Sequence, residues 1–315
     1  MSAGAQQAAM PWTPAPPQLA MAYSVCRGIA RSAAKNFYYA FLVLPQRKRE
    51  ALCAVYAFMR RCDDLTDDSS LTLQERRVRL DLWLDALHRA QQGEPTDDPI
   101  LLALIDAQRR YQIPAGLLDE LAMGTAMDVE AAEDEDEPRF ARAALQVQYK
   151  TFEDLQLYCY RVASVVGLVC IHVFGYRDPE AEPLAERCGL AFQLTNIIRD
   201  VKEDAAMGRV YLPEEDLAKF GLSALDLLAA PDLPRLRPLL NMEADRAREF
   251  YKAGDELIPL IAEDSQPGLW VLVNIYRKLL EKIADRQYDV FSGKVSLSVS
   301  EKLRILGRGF LRRLV

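Results

Sequence analysis

The chain has 315 residues, half of them apolar and 27% charged, with a net charge of −7. That is ample for a buried core, and the acidic balance without a basic stripe argues against nucleic acid as a partner. Two histidines argue against a His-based metal site or catalytic dyad, and six cysteines with no CxxC pair read as reduced packing residues of a cytoplasmic protein.

Residues 1–20 are rich in Ala, Gln and Pro and lack both a basic n-region and a continuous apolar h-region. They read as a disordered lead-in, not a signal peptide. No uninterrupted apolar run reaches the roughly 18 residues that a spanning helix needs. From residue 21 almost every segment has helical period and strand signals are scarce. Helices are predicted at 22–35, 37–43, 46–66, 71–91, 98–111, 114–130, 151–173, 180–206, 214–219, 223–229, 235–262, 266–291 and 298–313. There is no GxGxxG and no Walker loop. The class is all-α, with 21–315 as a single domain.

The helix at 46–66 has an apolar stripe of Leu52, Val55, Tyr56 and Met59. At its C-terminal end Asp63 and Asp67 are four apart, as are Asp64 and Asp68, with Arg60 and Arg61 just before them. Acids there face the negative end of the helix dipole and need compensation. Residues 130–147 are very acidic and contain Pro138; they read as an inserted surface loop, with a lid as the other reading. Thr151 can cap the next helix, with Asp154 at capping-box distance.

The stretch 193–204, QLTNIIRDVKED, carries the densest signal. Leu194, Ile197, Ile198 and Val201 form an apolar stripe, while Asn196, Asp200 and Asp204 stack on one face with Gln193 and Glu203 at its edges. Like charges four apart repel, and a bound cation offsets that. Oxygen-only ligands suit Mg²⁺ or Mn²⁺, not zinc. A solvated acidic face is the other reading. Two such clusters, each closing an apolar helix and each with an arginine nearby (Arg60, Arg61; Arg199), can hold several Mg²⁺ ions and through them a diphosphate.

Toward the C-terminus, PDLPRLRP at 231–238 reads as a connector. In 298–315 Leu303, Ile305, Leu306, Phe310, Leu311 and Leu314 give an apolar side, and Lys302, Arg304, Arg308, Arg312 and Arg313 a basic one. That suits a helix lying on anionic lipid at the inner membrane face. Equally, the apolar side can close the bundle while the arginines face water, since Gly307 and Gly309 weaken the helix.

Four segments together resemble the squalene/phytoene synthase family. They are AKNFYYAFLVLP (34–45), YAFMRRCDDLTDD (56–68), TFEDLQLYCYRVASVVG (151–167) and AFQLTNIIRDVKEDAAMGRVYLP (191–213). The wording of FYYAF and CYRVASVVGL leans to the bacterial squalene-pathway members. The resemblance implies an isoprenoid-synthase helical bundle with a central cavity and a head-to-head coupling of two prenyl diphosphates. It implies metal ligation by Asp63, Asp67, Asn196, Asp200 and Asp204 and a catalytic part for Tyr158. Lys35, Arg60, Arg199 and Arg209 become diphosphate contacts, with Gln193 at the edge of the site. Phe37, Tyr39, Val162, Gly167 and Tyr276 line the substrate, the small side chains near Tyr158 leaving room for an isoprenoid chain. Lys294 falls near another late contact. Ala34 and Asn36 stand where many relatives have serine, so diphosphate binding at that turn is altered, not lost.

Two farnesyl diphosphates giving presqualene diphosphate or squalene is the first expected reaction, with NADPH needed only to reach squalene. Two geranylgeranyl diphosphates giving phytoene is the alternative, and a non-catalytic helical assembly factor a remote one.

Overall fold

The computed structural model describes residues 15–34, 36–68, 70–130, 146–228 and 232–314. Lys35, most of the lead-in and most of the acidic insertion lie outside these. The described residues are helical almost throughout, as expected of an isoprenoid-synthase fold. They form two compact units, one of the described residues within 15–34 and 50–129, the other of those within 36–49 and 130–314.

In the first unit α1 (Pro16–Ala33) packs on α5 (Pro99–Tyr111), and Tyr23 donates to Asp106 at 2.7 Å between them. Helix α1 begins at Pro16, so the lead-in is shorter than the 1–20 expected; a proline at the first turn suits a helix start. Helix α3 (Gln46–Thr66) buries Leu52, Val55, Phe58, Cys62 and Leu65, and Phe58 stacks on Trp83 of α4 (Leu73–Gln91) at 6.2 Å. Thr72 and Glu75 form a capping box at the start of α4, and Asp98 caps α5 through the amides of Ile100 and Leu101. Helix α6 (Ala115–Glu130) completes this unit.

The second unit is built around α9 (Ala181–Ala206), which packs most extensively against α11 (Leu233–Leu257). Helix α7 (Phe152–Cys159) runs through a π-helical segment (Tyr160–Ser164) into α8 (Val165–Phe174). By length and composition this continuous stretch could cross a bilayer, although the sequence there has no uninterrupted apolar run of that length. Here its residues pack on α9 instead. A Cβ on Gly189 would stand 2.7 Å from Ser164 Cα, and one on Gly167 2.8 Å from the Ala185 carbonyl. Both glycines therefore let the two helices approach backbone to backbone.

Two short strands interrupt the all-helical expectation. β1 (Gln146–Val147) pairs in parallel with β2 (Arg209–Val210), so the end of the acidic insertion is pinned to the chain just after α9. The 231–238 connector is also corrected: α11 already begins at Leu233, and Pro234 and Pro238 fall inside it. Helix α12 (Gln266–Asp285) ends earlier than expected because Gln287 and Tyr288 adopt positive φ, which breaks the helix. Helix α2 (Phe37–Phe41) packs on α12, as does α13 (Val299–Leu314). Helix α10 (Glu214–Lys219) and two 3₁₀ turns (Ala224–Leu227 and Ile258–Leu260) complete the order among the described residues. All six cysteines are buried and free of disulfides.

Candidate active site

The C-terminal half of α9 sets the site. Leu194, Ile197, Ile198 and Val201 are buried and fix the helix's rotation, which brings Asn196, Asp200 and Asp204 onto a half-exposed face. Asn196 donates to Gln193 Oε1 at 3.3 Å, while its own Oδ1 is buried without a hydrogen-bond partner. Asp200 is neutralised within the protein. Arg199 reaches it with two nitrogens, Nε at 2.8 Å and Nη2, and Lys294 Nζ lies 3.2 Å from Oδ1. Lys294 also stands 3.8 Å from Glu203 Oε1.

One turn on, Asp204 is in a different state. Burial, with the Asp200 charge beside it, pushes its carboxyl up to about 7, only partly opposed by Arg209. For Asp200 burial acts in the same upward direction, but Arg199 and Lys294 outweigh it and hold the carboxyl below the ordinary range. No basic residue sits in the last turn of α9 to meet its dipole. Asp204 and Arg209 line one crevice, with Tyr211 among its walls.

A tyrosine cluster adjoins. Tyr158 stacks on Tyr211 at 5.2 Å, and Tyr149 lies 5.3 Å from Tyr158 and 6.3 Å from Tyr211. Tyr149 is set in place because its carbonyl accepts from the Glu214 amide at 2.9 Å. A second aromatic run joins Phe37 to Tyr276 (5.8 Å), Tyr276 to Phe192 (4.5 Å) and Phe192 to Tyr251 (6.0 Å).

Other expected site residues are placed differently. Val162 lies within the π-helical segment, so the regular helical alignment expected from Tyr158 to Gly167 does not hold. Gly167 offers no room for a ligand on its Cβ side, because the Ala185 backbone fills it. Tyr39 lies beneath Lys302 of α13, its ring 5.3 Å from the ammonium. In the first unit, Asp63 lies in the last turn of α3, and Asp67 follows the helix with its amide on the Asp63 carbonyl at 2.8 Å. Arg60 is paired with Asp64 at 2.6 Å, both exposed, and Asp68 accepts from Ser70. Of the two acid pairs in DDLTDD, the 64/68 pair is thus taken up locally. Tyr149, Tyr211 and Phe192 were missed by the sequence reading, although Tyr211 sits two residues after Arg209.

The donor set on α9 fits a hard divalent cation. It is all oxygen, it includes one buried amide oxygen with no partner, and it places carboxylates at the negative end of a helix. Among the described residues no three His, Cys, Asp or Glu side chains converge on one point, so α9 offers a row of donors and not a closed cage.

Among the described residues, a mainly helical fold whose longest helix ends in carboxylates beside Arg199 and Arg209, with walls of aromatic rings, fits an isoprenoid-synthase type of enzyme. Residues 30–301 match the squalene/phytoene synthase family. The 15-cis-phytoene synthase of Synechococcus elongatus is 36% identical over 311 residues, covering 94% of this chain and 95% of that protein. The phytoene synthase of Mycobacterium tuberculosis is 35% identical over 291 residues, covering 91% and 90%. Among solved structures, a dehydrosqualene synthase superposes with a TM-score of 0.78 at 30% identity, covering 93% of this chain and 96% of that one. The squalene synthase HpnC of Alicyclobacillus acidocaldarius gives 0.75 at 29%, covering 87% and 97%. The chain belongs to the squalene/phytoene synthase family and is a head-to-head prenyltransferase. The family uses a divalent metal to ionise diphosphate.

Proposed function

We propose that this enzyme condenses two geranylgeranyl diphosphates into a phytoene-type product. The observation that carries the reaction type is the α9 face, where Asn196, Asp200 and Asp204 are flanked by Arg199, Lys294 and Arg209. The preference for the C20 substrate rests on the names of the relatives, which are phytoene synthases at 34–36% identity among those most similar in sequence. The farnesyl diphosphate reading is the second, supported by the squalene-type names of the two structural neighbours.

In this reading Asp63, Asp67, Asn196, Asp200 and Asp204 would hold Mg²⁺, with Mn²⁺ as a substitute. When bound, the metal supplies the positive charge that makes diphosphate a leaving group. Lys35, Arg199, Arg209 and Lys294 donate to phosphate oxygens; Arg60 joins them only on leaving Asp64. Ionisation leaves an allylic cation, and Tyr158, with Tyr149 and Tyr211, presents ring faces to it. Phe37, Tyr39, Val162 and Tyr276 exclude water from the apolar chains. The double bond of the second substrate attacks, proton loss closes a cyclopropyl diphosphate, and a second ionisation with proton loss gives a phytoene-type hydrocarbon. Hydride delivery from NADPH at that last stage belongs to the squalene reading.

The enzyme works in the cytoplasm with α13 against the anionic inner membrane face. Leu306 and Gly309 of α13 are buried on α12, whereas Leu303, Phe310 and Leu311 are 52%, 41% and 63% exposed, beside the exposed Arg304 and Arg308.

Incubation with C15 or C20 prenyl diphosphate and Mg²⁺, with and without NADPH, decides the product. A C40 hydrocarbon from the C20 substrate without NADPH is expected. Turnover of the C15 substrate alone would replace this reading with the second.

A further inference from the structure

Resting on the assignment of Asp200 as a metal ligand, we infer that Lys294 is the resident counter-ion of the α9 carboxylates, which a divalent metal displaces and which then passes to the diphosphate. The ammonium lies 3.2 Å from Asp200 Oδ1 and 3.8 Å from Glu203 Oε1, where it neutralises a helix end that carries no basic residue of its own in the last turn. Arg199 cannot fill the same role. It is adjacent to Asp200 in sequence, holds that carboxylate through two nitrogens, and its side chain is only 18% exposed. Lys294 is 57% exposed and sits in the segment between α12 and α13, so its ammonium can leave Asp200 without disturbing a helix.

The same segment has a fixed point. Lys202 of α9 donates to the Phe291 carbonyl at 2.6 Å, and Asp289 accepts from the amides of Phe291 and Ser292. Residues 289–292 are thus pinned near α9 while Lys294, two residues further on, is held only by its ion pairs among the contacts described. An ammonium on a pinned segment can be released from a carboxylate and still stay within reach of a phosphate bound beside it. Before substrate arrives it keeps the acidic face from repelling itself; afterwards it adds a positive charge to the leaving group.

This arrangement gives Lys294 opposite effects on two equilibria. Without diphosphate it competes with metal. With diphosphate it supports the complex. Titration of Mn²⁺ by electron paramagnetic resonance on the full chain, with and without inorganic pyrophosphate, separates them. Lys294→Met is expected to tighten Mn²⁺ binding about two- to fivefold without pyrophosphate, the range of a solvent-exposed ion pair, and to weaken it when pyrophosphate is present. Lys294→Arg is expected to restore the wild-type pattern. If Asp200→Asn lowers Mn²⁺ affinity while Lys294→Met leaves it unchanged or weaker without pyrophosphate, the counter-ion role is overturned and the metal assignment stands. If neither substitution alters Mn²⁺ binding, the metal assignment fails and the counter-ion role falls with it.

Discussion

Asp200 is the residue on which loss of charge should separate chemistry from folding. Asp200→Asn keeps the shape and still accepts from Arg199, but removes the charge that a metal needs. Turnover should fall on the order of 100-fold or more, with the thermal melt little changed; Asp63→Asn should behave alike. Near-normal product formation by both variants at saturating Mg²⁺ would remove these carboxylates from the proposed metal site. Glu243 offers a different test. It is buried with Asp216 around Arg246, which reaches Glu243 at 2.9 Å and Asp216 at 3.1 Å. Burial, only partly countered by Arg246, raises its carboxyl from the ordinary 4.5 to about 7. The native state then holds a proton that the unfolded chain has lost over that interval, so this group's contribution to stability falls as pH rises from 4.5 to 7. Glu243→Gln should lose that slope. Comparing melts of the two proteins from pH 5 to pH 8 checks it: the variant should gain on wild type with rising pH, and parallel curves would show that Glu243 does not titrate there. At this scale the sequence revealed the carboxylates, because i, i+4 spacing is visible in letters. It did not reveal that Asp64 and Asp68 would be used locally, since Arg60 and Ser70 look no different from other surface residues.

The packing of α9 against the α7–α8 stretch rests on glycines. A methyl group at Gly189 meets backbone atoms of Ala163 and Ser164, which cannot turn away. Gly189→Ala should therefore cost about 1–3 kcal/mol by overpacking, read as a lower denaturant midpoint; an unchanged midpoint would mean that α9 shifts freely at this crossing. The helices themselves were legible from periodicity, and α3 and α10 match their predicted bounds. What escaped has physical reasons. The strands β1 and β2 are two residues each, too short for a period to register. The π-helical segment adds one residue to a turn, which no pattern of apolar letters records, and it spoiled the expected alignment of Tyr158 with Gly167. Gly309 weakens α13 as an isolated helix, yet its missing side chain is where α12 comes close: a Cβ there would clash with the Val271 side chain.

At the level of the whole molecule, α13 has two faces to account for. One side closes on α12 and another remains apolar and exposed. The protein should co-sediment with anionic but not neutral vesicles, and Leu303→Glu with Phe310→Glu should abolish this without lowering the melting temperature. Equal sedimentation of wild type and variant with anionic vesicles would refute lipid docking by this face. The division into two compact units was not legible, because the chain leaves the first unit at residue 35 and returns at 50, partway along α3, where nothing in the helical pattern marks a boundary. That excursion has a consequence for how the protein is made. Lys48, in the first turn of α3, donates to the Phe174 carbonyl at 2.7 Å, to Asp264 and to Ser265 at 2.9 Å, and Asp264 lies 216 residues downstream. On a ribosome adding 5–20 residues each second, the lysine waits about 10–40 s for that partner to be synthesised. All of the first unit has emerged by then, so it can mature while residues 35–49 stay without their destination. Biogenesis thus includes the capture of an early segment by a late one.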